Sequence, residues 1–292
     1  MWNHYQLFLE KAAFPEDGRD YLLRTAQQVQ QTRTKELGQL VDDFYAQDFP
    51  IPETEQKLWA MAEADGIEPY TMSLLFLICA SKRLREDYAR AGYSDELYWD
   101  TILDLKTKAV ECRDVYGIWG TFVALWYPNF FRMDLFRLGR LQFERNTFHG
   151  KEPVTVDGVT VTPGQPVYSV HIPSGLPLDP AQCEESYRIA QAFFAEELQG
   201  KPMICQCDSW LLYPDNPVIF SKAANLLAFW HTWHIYGKED DPKGHDLWRV
   251  FGKGLEVGLE NLPRNTSMQR DLAAWLEKGG SVGEGGGLRI FS

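Results

Sequence analysis

The spacing of apolar residues changes once along this chain, near Met133, and that change limits the folds open to it. Up to about residue 127 the apolar positions recur every three to four residues, the period of a helix. Tyr21, Leu22, Leu37, Leu40, Val41 and Phe44 do so within 20–44, before Pro50 and Pro52 break the pattern. A short helix is expected over 53–63, ended near Gly66, and a more apolar one over 69–90 centred on Leu74, Leu75, Leu77 and Ile78. Ser94 reads as the N-cap of a helix running through Leu103 towards Cys112. Beyond Met133 the period falls to two. Leu135, Gly139, Leu141 and Phe143 share one face of a strand over 135–145, and Asp157-Gly158 supplies the positive-φ pair of a tight hairpin turn. The pattern predicts a helical domain over 1–127 and a second domain over 128–292 that mixes strands with helices.

Within the second domain, 166–213 reads as strand, turn, helix, strand. The first strand is Val167 to Ile172, the helix starts after Asp179 and runs to about Leu198, and the second strand is Met203 to Tyr213. Asp179 is a good N-cap, Pro180 sits at the first helical position, and Gln182 completes a capping box. Cys183, Tyr187, Ala190, Phe194 and Leu198 then form one apolar face. On the first strand His171 shares a face with Val167 and Ser169. The second carries Cys205, Cys207, Asp208, Ser209 and Tyr213, all able to exchange protons; strand alternation points Asp208 away from Cys207 and Ser209. Further on, a helix is expected over 220–236, an irregular stretch over 247–259 and a helix over 267–278. A flexible glycine-rich tail over 279–287 then leads to a short last strand at 288–291.

Charge and cysteines exclude several functions. A formal net charge of −12 repels nucleic-acid phosphates and anionic membranes, so neither is expected as a partner. Five scattered cysteines form no disulfide framework and predict a reducing, cytoplasmic setting. The first ten residues lack the basic and apolar regions of a signal peptide, and no apolar run approaches the roughly 20 residues of a membrane span. No metal is expected. His231 and His234, read on one helix, lack the i, i+4 spacing and intervening glutamate of a helical zinc site, and Cys205-x-Cys207 lacks a two-residue spacer. Arg137 interrupts the Leu135 face and Arg140 lies on the opposite one; either could meet a ligand's charge, though solvent is the commoner place for an arginine.

His171-Ile-Pro-Ser-Gly-Leu-Pro-Leu178, followed by Cys207-Asp-Ser-Trp-Leu-Leu212, resembles a bacterial family of acyltransferases with a helical N-terminal domain and a GNAT-like C-terminal domain. Phe136-Arg-Leu-Gly-Arg-Leu-Gln-Phe-Glu144 and Leu262-Pro-Arg-Asn-Thr-Ser-Met-Gln-Arg270 fit the same family, as does the glycine-rich tail before Leu288-Arg-Ile-Phe291. The resemblance implies an α+β fold with a mixed sheet flanked by helices. It implies an acyl-CoA substrate, acetyl-CoA or another, whose pantetheine arm runs along the strand 167–173. The pyrophosphate would rest on the turn from Ser174 to Leu178, so that Ile172, Ser174, Gly175, Leu176 and Leu178 contact the cofactor. Here the turn departs from the family of GNAT loops: Pro173, Pro177 and Pro180 remove N–H donors and Asp179 brings a like charge. The implied reaction is transfer of the acyl group to an amine, with His171 or Asp208 as base and Ser209, Cys207 or Tyr213 as acid. Asp208 stands where the family often has a histidine. The acceptor would be a small-molecule or peptide amine, and the helical domain could form a homodimer. The alternative is a GNAT-shaped binding or scaffolding protein without chemistry.

Overall fold

The structure, a computed structural model, describes residues 1–220, 224–252 and 258–292. It divides into two compact units, Met1–Phe136 and Arg137–Ser292.

The first unit is helical: α1 (Trp2–Ala12), α2 (Glu16–Thr32), α3 (Thr34–Ala46), α4 (Ile51–Asp65), α5 (Pro69–Arg90), α6 (Asp95–Ile102), α7 (Asp104–Tyr116) and the single turn α8 (Pro128–Phe131). α5 is the axis of the unit. Its residues Met72 to Ala80 are all buried, and α1, α2, α3, α4, α6 and α7 pack around it. A helix apolar on every side has no solvent face to offer, so it takes the centre. Ser94 caps α6 as expected, its Oγ accepting Leu97 N–H at 3.1 Å. The continuous helix over 20–44 is instead broken at Arg33, where φ is −130°. Thr32 and Thr34 flank the break, and their hydroxyls donate to the carbonyls of Gln28 and Gln30. Such back-bonding competes with the helical ladder. No helix among the described residues is long and apolar enough to cross a membrane.

The second unit is built on a sheet. Its strands are β1 (Leu135–Leu138), β2 (Leu141–Thr147), β3 (Val154–Val156), β4 (Val159–Val161), β5 (Pro166–His171), β6 (Met203–Ser209), β7 (His234–Asp240) and β8 (Gly283–Phe291), β1 beginning in the last residues of the first unit. The main sheet has the order β1-β2-β5-β6-β8-β7, and β3-β4 form the expected hairpin, with Asp157 and Gly158 at φ 49° and 81°. The single strand expected over 135–145 is folded back at Gly139, where φ is 76°. The helices are α9 (Pro180–Phe193), α10 (Ala195–Leu198), α11 (Asn216–Ile219), α12 (Ala224–Trp230), α13 (Trp248–Phe251) and α14 (Ser267–Glu277). α9 and α10 carry the chain from β5 to β6, which therefore run parallel.

Two further sequence expectations fail in the second unit. The helix over 220–236 stops at Trp230, and His234 opens β7, so His231 and His234 do not share a helix. Residues 221–223 of that expected helix, and 253–257 of the irregular stretch, lie outside the described residues. The glycine-rich tail is not flexible: 283–291 form one nine-residue strand between β6 and β7. Its glycines answer to crowding. A Cβ on Gly283 would stand 1.9 Å from the Glu239 carbonyl oxygen, one on Gly285 1.9 Å from that of Leu212, and one on Gly286 2.7 Å from the Tyr236 ring.

Candidate active site

β5 and β6 are register partners at only two positions, Tyr168↔Cys205 and Ser169↔Gln206. Both strands continue. β5 stays paired with β2 to His171, and β6 stays paired with β8 to Ser209. Each strand keeps its outer neighbour and loses its inner one, so the sheet parts at its middle. Beyond Ser169 and Gln206 no register pair joins the two inner edges.

The registers decide which side chains flank this gap. Gln142 pairs with His171, Glu144 with Ser169, Ser169 with Gln206, and Asp208 with Gly286. Partners in register share a face, so His171, Glu144, Gln206 and Asp208 all stand on one side of the sheet. On the other side Tyr168 stacks on Phe194 at 4.2 Å and Phe143 meets Tyr187 of α9 at 5.7 Å. That is the apolar core face, and Cys205 and Cys207 belong to it. Both are buried, and burial pushes both thiols well above the usual cysteine range. Neither supplies a thiolate at neutral pH.

On the polar face His171 Nε2 lies 2.7 Å from Glu144 Oε2, with the Glu144 side chain only 10% exposed. The carboxylate fixes the orientation of the imidazole. Gln206, fully buried, ties the strands together where they part. Its Nε2 donates to Ser169 Oγ at 2.9 Å and to the Thr147 carbonyl at 3.2 Å, and its Oε1 accepts His149 N–H at 3.1 Å. Asp208, on the far side of the gap, accepts from Tyr236 OH at 3.2 Å and stands 3.4 Å from His149 Nδ1. Burial and the Asp208 charge push the Tyr236 phenol upward. Ser209 faces away from Asp208, and its Oγ accepts Leu211 N–H at 3.2 Å, capping a short turn over 210–212. Tyr213 donates to Asp240.

Ile172, Ser174, Gly175, Leu176 and Leu178 lie in the turn from β5 to α9, with Gly175 at φ 86°. Asp179 Oδ1 accepts Gln182 N–H at 2.9 Å, as the cap signal predicts. Arg140, expected in solvent, is 5% exposed and reaches under this turn. Sequence reasoning also gave no role to Glu144, Gln206, His149 or Tyr236. Only the register between distant strands brings them to the gap.

The same unit holds a cavity of about 510 Å³ whose lining includes Trp210, Phe220 and Leu272 and the carboxylates of Asp240, Asp246 and Glu284. Glu284 keeps an exposed edge, yet its carboxyl is pushed up to about 7, first by burial and then by Asp246 and Asp208. No group of three or more metal-ligating side chains occurs among the described residues.

A sheet that parts between two parallel strands, one feeding a helix through a tight turn, defines a GNAT-like domain. The chain belongs to that family: the GNAT-like C-terminal domain matches residues 135–289, and the N-acyltransferase N-terminal domain matches residues 4–133. An acyltransferase mutant in complex with octanoyl-CoA is similar at 22% identity and TM-score 0.74, over 97% of this chain and 86% of that one. An acyltransferase in complex with decanoyl-CoA and teicoplanin is similar at 21% and 0.72, with the same coverage. At such identities the likeness shows the fold. No curated protein matches the chain.

Proposed function

We propose that this protein is an acyl-CoA-dependent N-acyltransferase. The observation that carries the reading is the gap between β5 and β6, opening beyond Ser169 and Gln206. Pantetheine is a chain of amides, and an unpaired strand edge is the surface that binds amides through backbone hydrogen bonds. Proteins of like fold hold octanoyl-CoA or decanoyl-CoA, which supports the same ligand class here.

His171 is the base. It takes a proton from the acceptor amine while Glu144, at 2.7 Å, balances the imidazolium charge. The amine nitrogen bonds to the thioester carbonyl carbon, the tetrahedral adduct collapses, and the carbon–sulfur bond breaks. The imidazolium returns its proton to the departing thiolate; an acceptor that arrives as an ammonium first releases one further proton to bulk water, and with that the step balances. Asp208 flanks the opposite side of the gap, where its charge favours the approach of a protonated amine. The carboxylates of the cavity lining, Asp240, Asp246 and Glu284, suit the same cation. A small-molecule amine is the acceptor class; one similar acyltransferase was crystallised with teicoplanin.

Calorimetry with CoA, acetyl-CoA, octanoyl-CoA and decanoyl-CoA tests the reading. Binding of at least one thioester in the micromolar range is expected. No heat and no rise in melting temperature at millimolar ligand would refute it, because a ligand of the native state must stabilise it.

A further inference from the structure

Arg140 sits in the turn between β1 and β2, and no carboxylate among the described residues is in ion-pair contact with its guanidinium. Its backbone N–H donates to Ser186 Oγ at 2.8 Å, which seats the turn on α9. Its Nε donates to the Pro177 carbonyl at 2.9 Å and its Nη2 to the Leu176 carbonyl at 2.8 Å. Its Nη1 is buried and has no partner among the described residues. No ion pair among the described residues involves it, and burial pulls its pKa below the usual arginine value. A buried guanidinium without a counter-charge is costly, and such groups persist where a ligand supplies the missing anion.

The direction of its hydrogen bonds gives the position of that anion. In a trans peptide unit C=O and N–H point opposite ways. Drawing the Pro177 carbonyl inward onto the guanidinium turns the Leu178 N–H outward. The turn also leads into α9, whose N-terminus carries the positive end of the helix dipole.

We propose that Arg140 is a positioning residue for the phosphates of acyl-CoA: from beneath the turn 174–178 it holds two carbonyls inward and supplies the positive charge that the turn itself lacks. This resolves the odd composition of the turn. Pro173, Pro177 and Pro180 remove N–H donors and Asp179 adds a negative charge, and a buried arginine from the neighbouring hairpin offsets both. The inference rests on the acyl-CoA reading above.

The test compares decanoyl-CoA with decanoyl-pantetheine, which keeps the thioester and has no nucleotide phosphates. The wild type should bind both. Arg140→Gln, which can still bond a carbonyl but has no charge, should bind decanoyl-CoA about ten- to a hundredfold more weakly, the range for a lost charge-assisted contact. Its affinity for decanoyl-pantetheine should be unchanged. Arg140→Lys restores the charge without the fork and should recover most of the lost CoA affinity. Equal losses for both ligands, no loss for either, or a lysine variant as weak as the glutamine one would overturn the assignment. A wild type that binds neither ligand instead defeats the acyl-CoA reading.

Discussion

Replacing Gly285 by alanine tests the claim that the glycine-rich segment is a structural strand. The added Cβ would stand 1.9 Å from the Leu212 carbonyl oxygen, 2.5 Å from its carbon and 3.1 Å from Tyr213 N. Ordinary contact between such atoms is about 3.5 Å, so strand and turn must separate by more than 1 Å. All three obstructing atoms are backbone and cannot rotate aside. The turn over 210–212 follows directly on Ser209, the register partner of Gly285, so the separation also strains the end of the β6–β8 ladder. Overpacking costs about 1–3 kcal/mol, and one or two weakened ladder bonds add about 1 kcal/mol each. The expected loss is about 2–5 kcal/mol. For a unit of this size, 137–292, that is a fall in melting temperature of roughly 4–20 °C. Thermal and urea unfolding followed by circular dichroism measure it. A flexible tail gives the opposite result, since glycine-to-alanine there is neutral or slightly stabilising. A G285A protein as stable as the wild type would therefore refute the strand argument.

Gly38, inside α3 with nothing within 4 Å of its missing Cβ, is the matched control: Gly38→Ala should raise stability by about 1 kcal/mol in the same melts. His171→Gln should lower turnover by roughly 10²–10⁴ with acyl-CoA affinity retained, while Asp208→Asn loses far less. If Asp208→Asn is the slower enzyme, the roles assigned here are reversed. His4 is buried beside Ser81 and Tyr98, and burial lowers its pKa from 6.5 to about 4. The unfolded chain then binds a proton that the folded one refuses between those values, so stability present above pH 6.5 falls by about 3 kcal/mol as pH drops to 4. Urea midpoints across this range should show that loss in the wild type and a smaller one in His4→Gln; parallel curves would sink the claim.

Local rules made much of this molecule legible from its sequence. The helices α5 and α9, the caps at Ser94 and Asp179 and the Asp157-Gly158 hairpin all follow from residues within a few positions of one another. The strand–turn–helix–strand motif, read together with the family resemblance, also supplied the residues proposed for the site. Where local rules failed, distant neighbours overrode them. Glycines at 283, 285, 286 and 287 look flexible in a string of letters, because the carbonyls and rings that crowd them come from residues 212–239.

The same distinction runs through the site. Sequence alone placed His171 and Asp208 on strands and gave the chain residues able to move a proton. It could not choose a partner for His171, because Glu144 is 27 residues away and is brought to 2.7 Å only by the register of β2 on β5. Nor could it show Arg140 buried, since polarity alone sends an arginine to solvent until the β1–β2 turn closes against α9. Hydrogen bonding within a few residues fixes elements and caps. Register and burial are sums over the whole fold, so only the tertiary structure decided which charges meet.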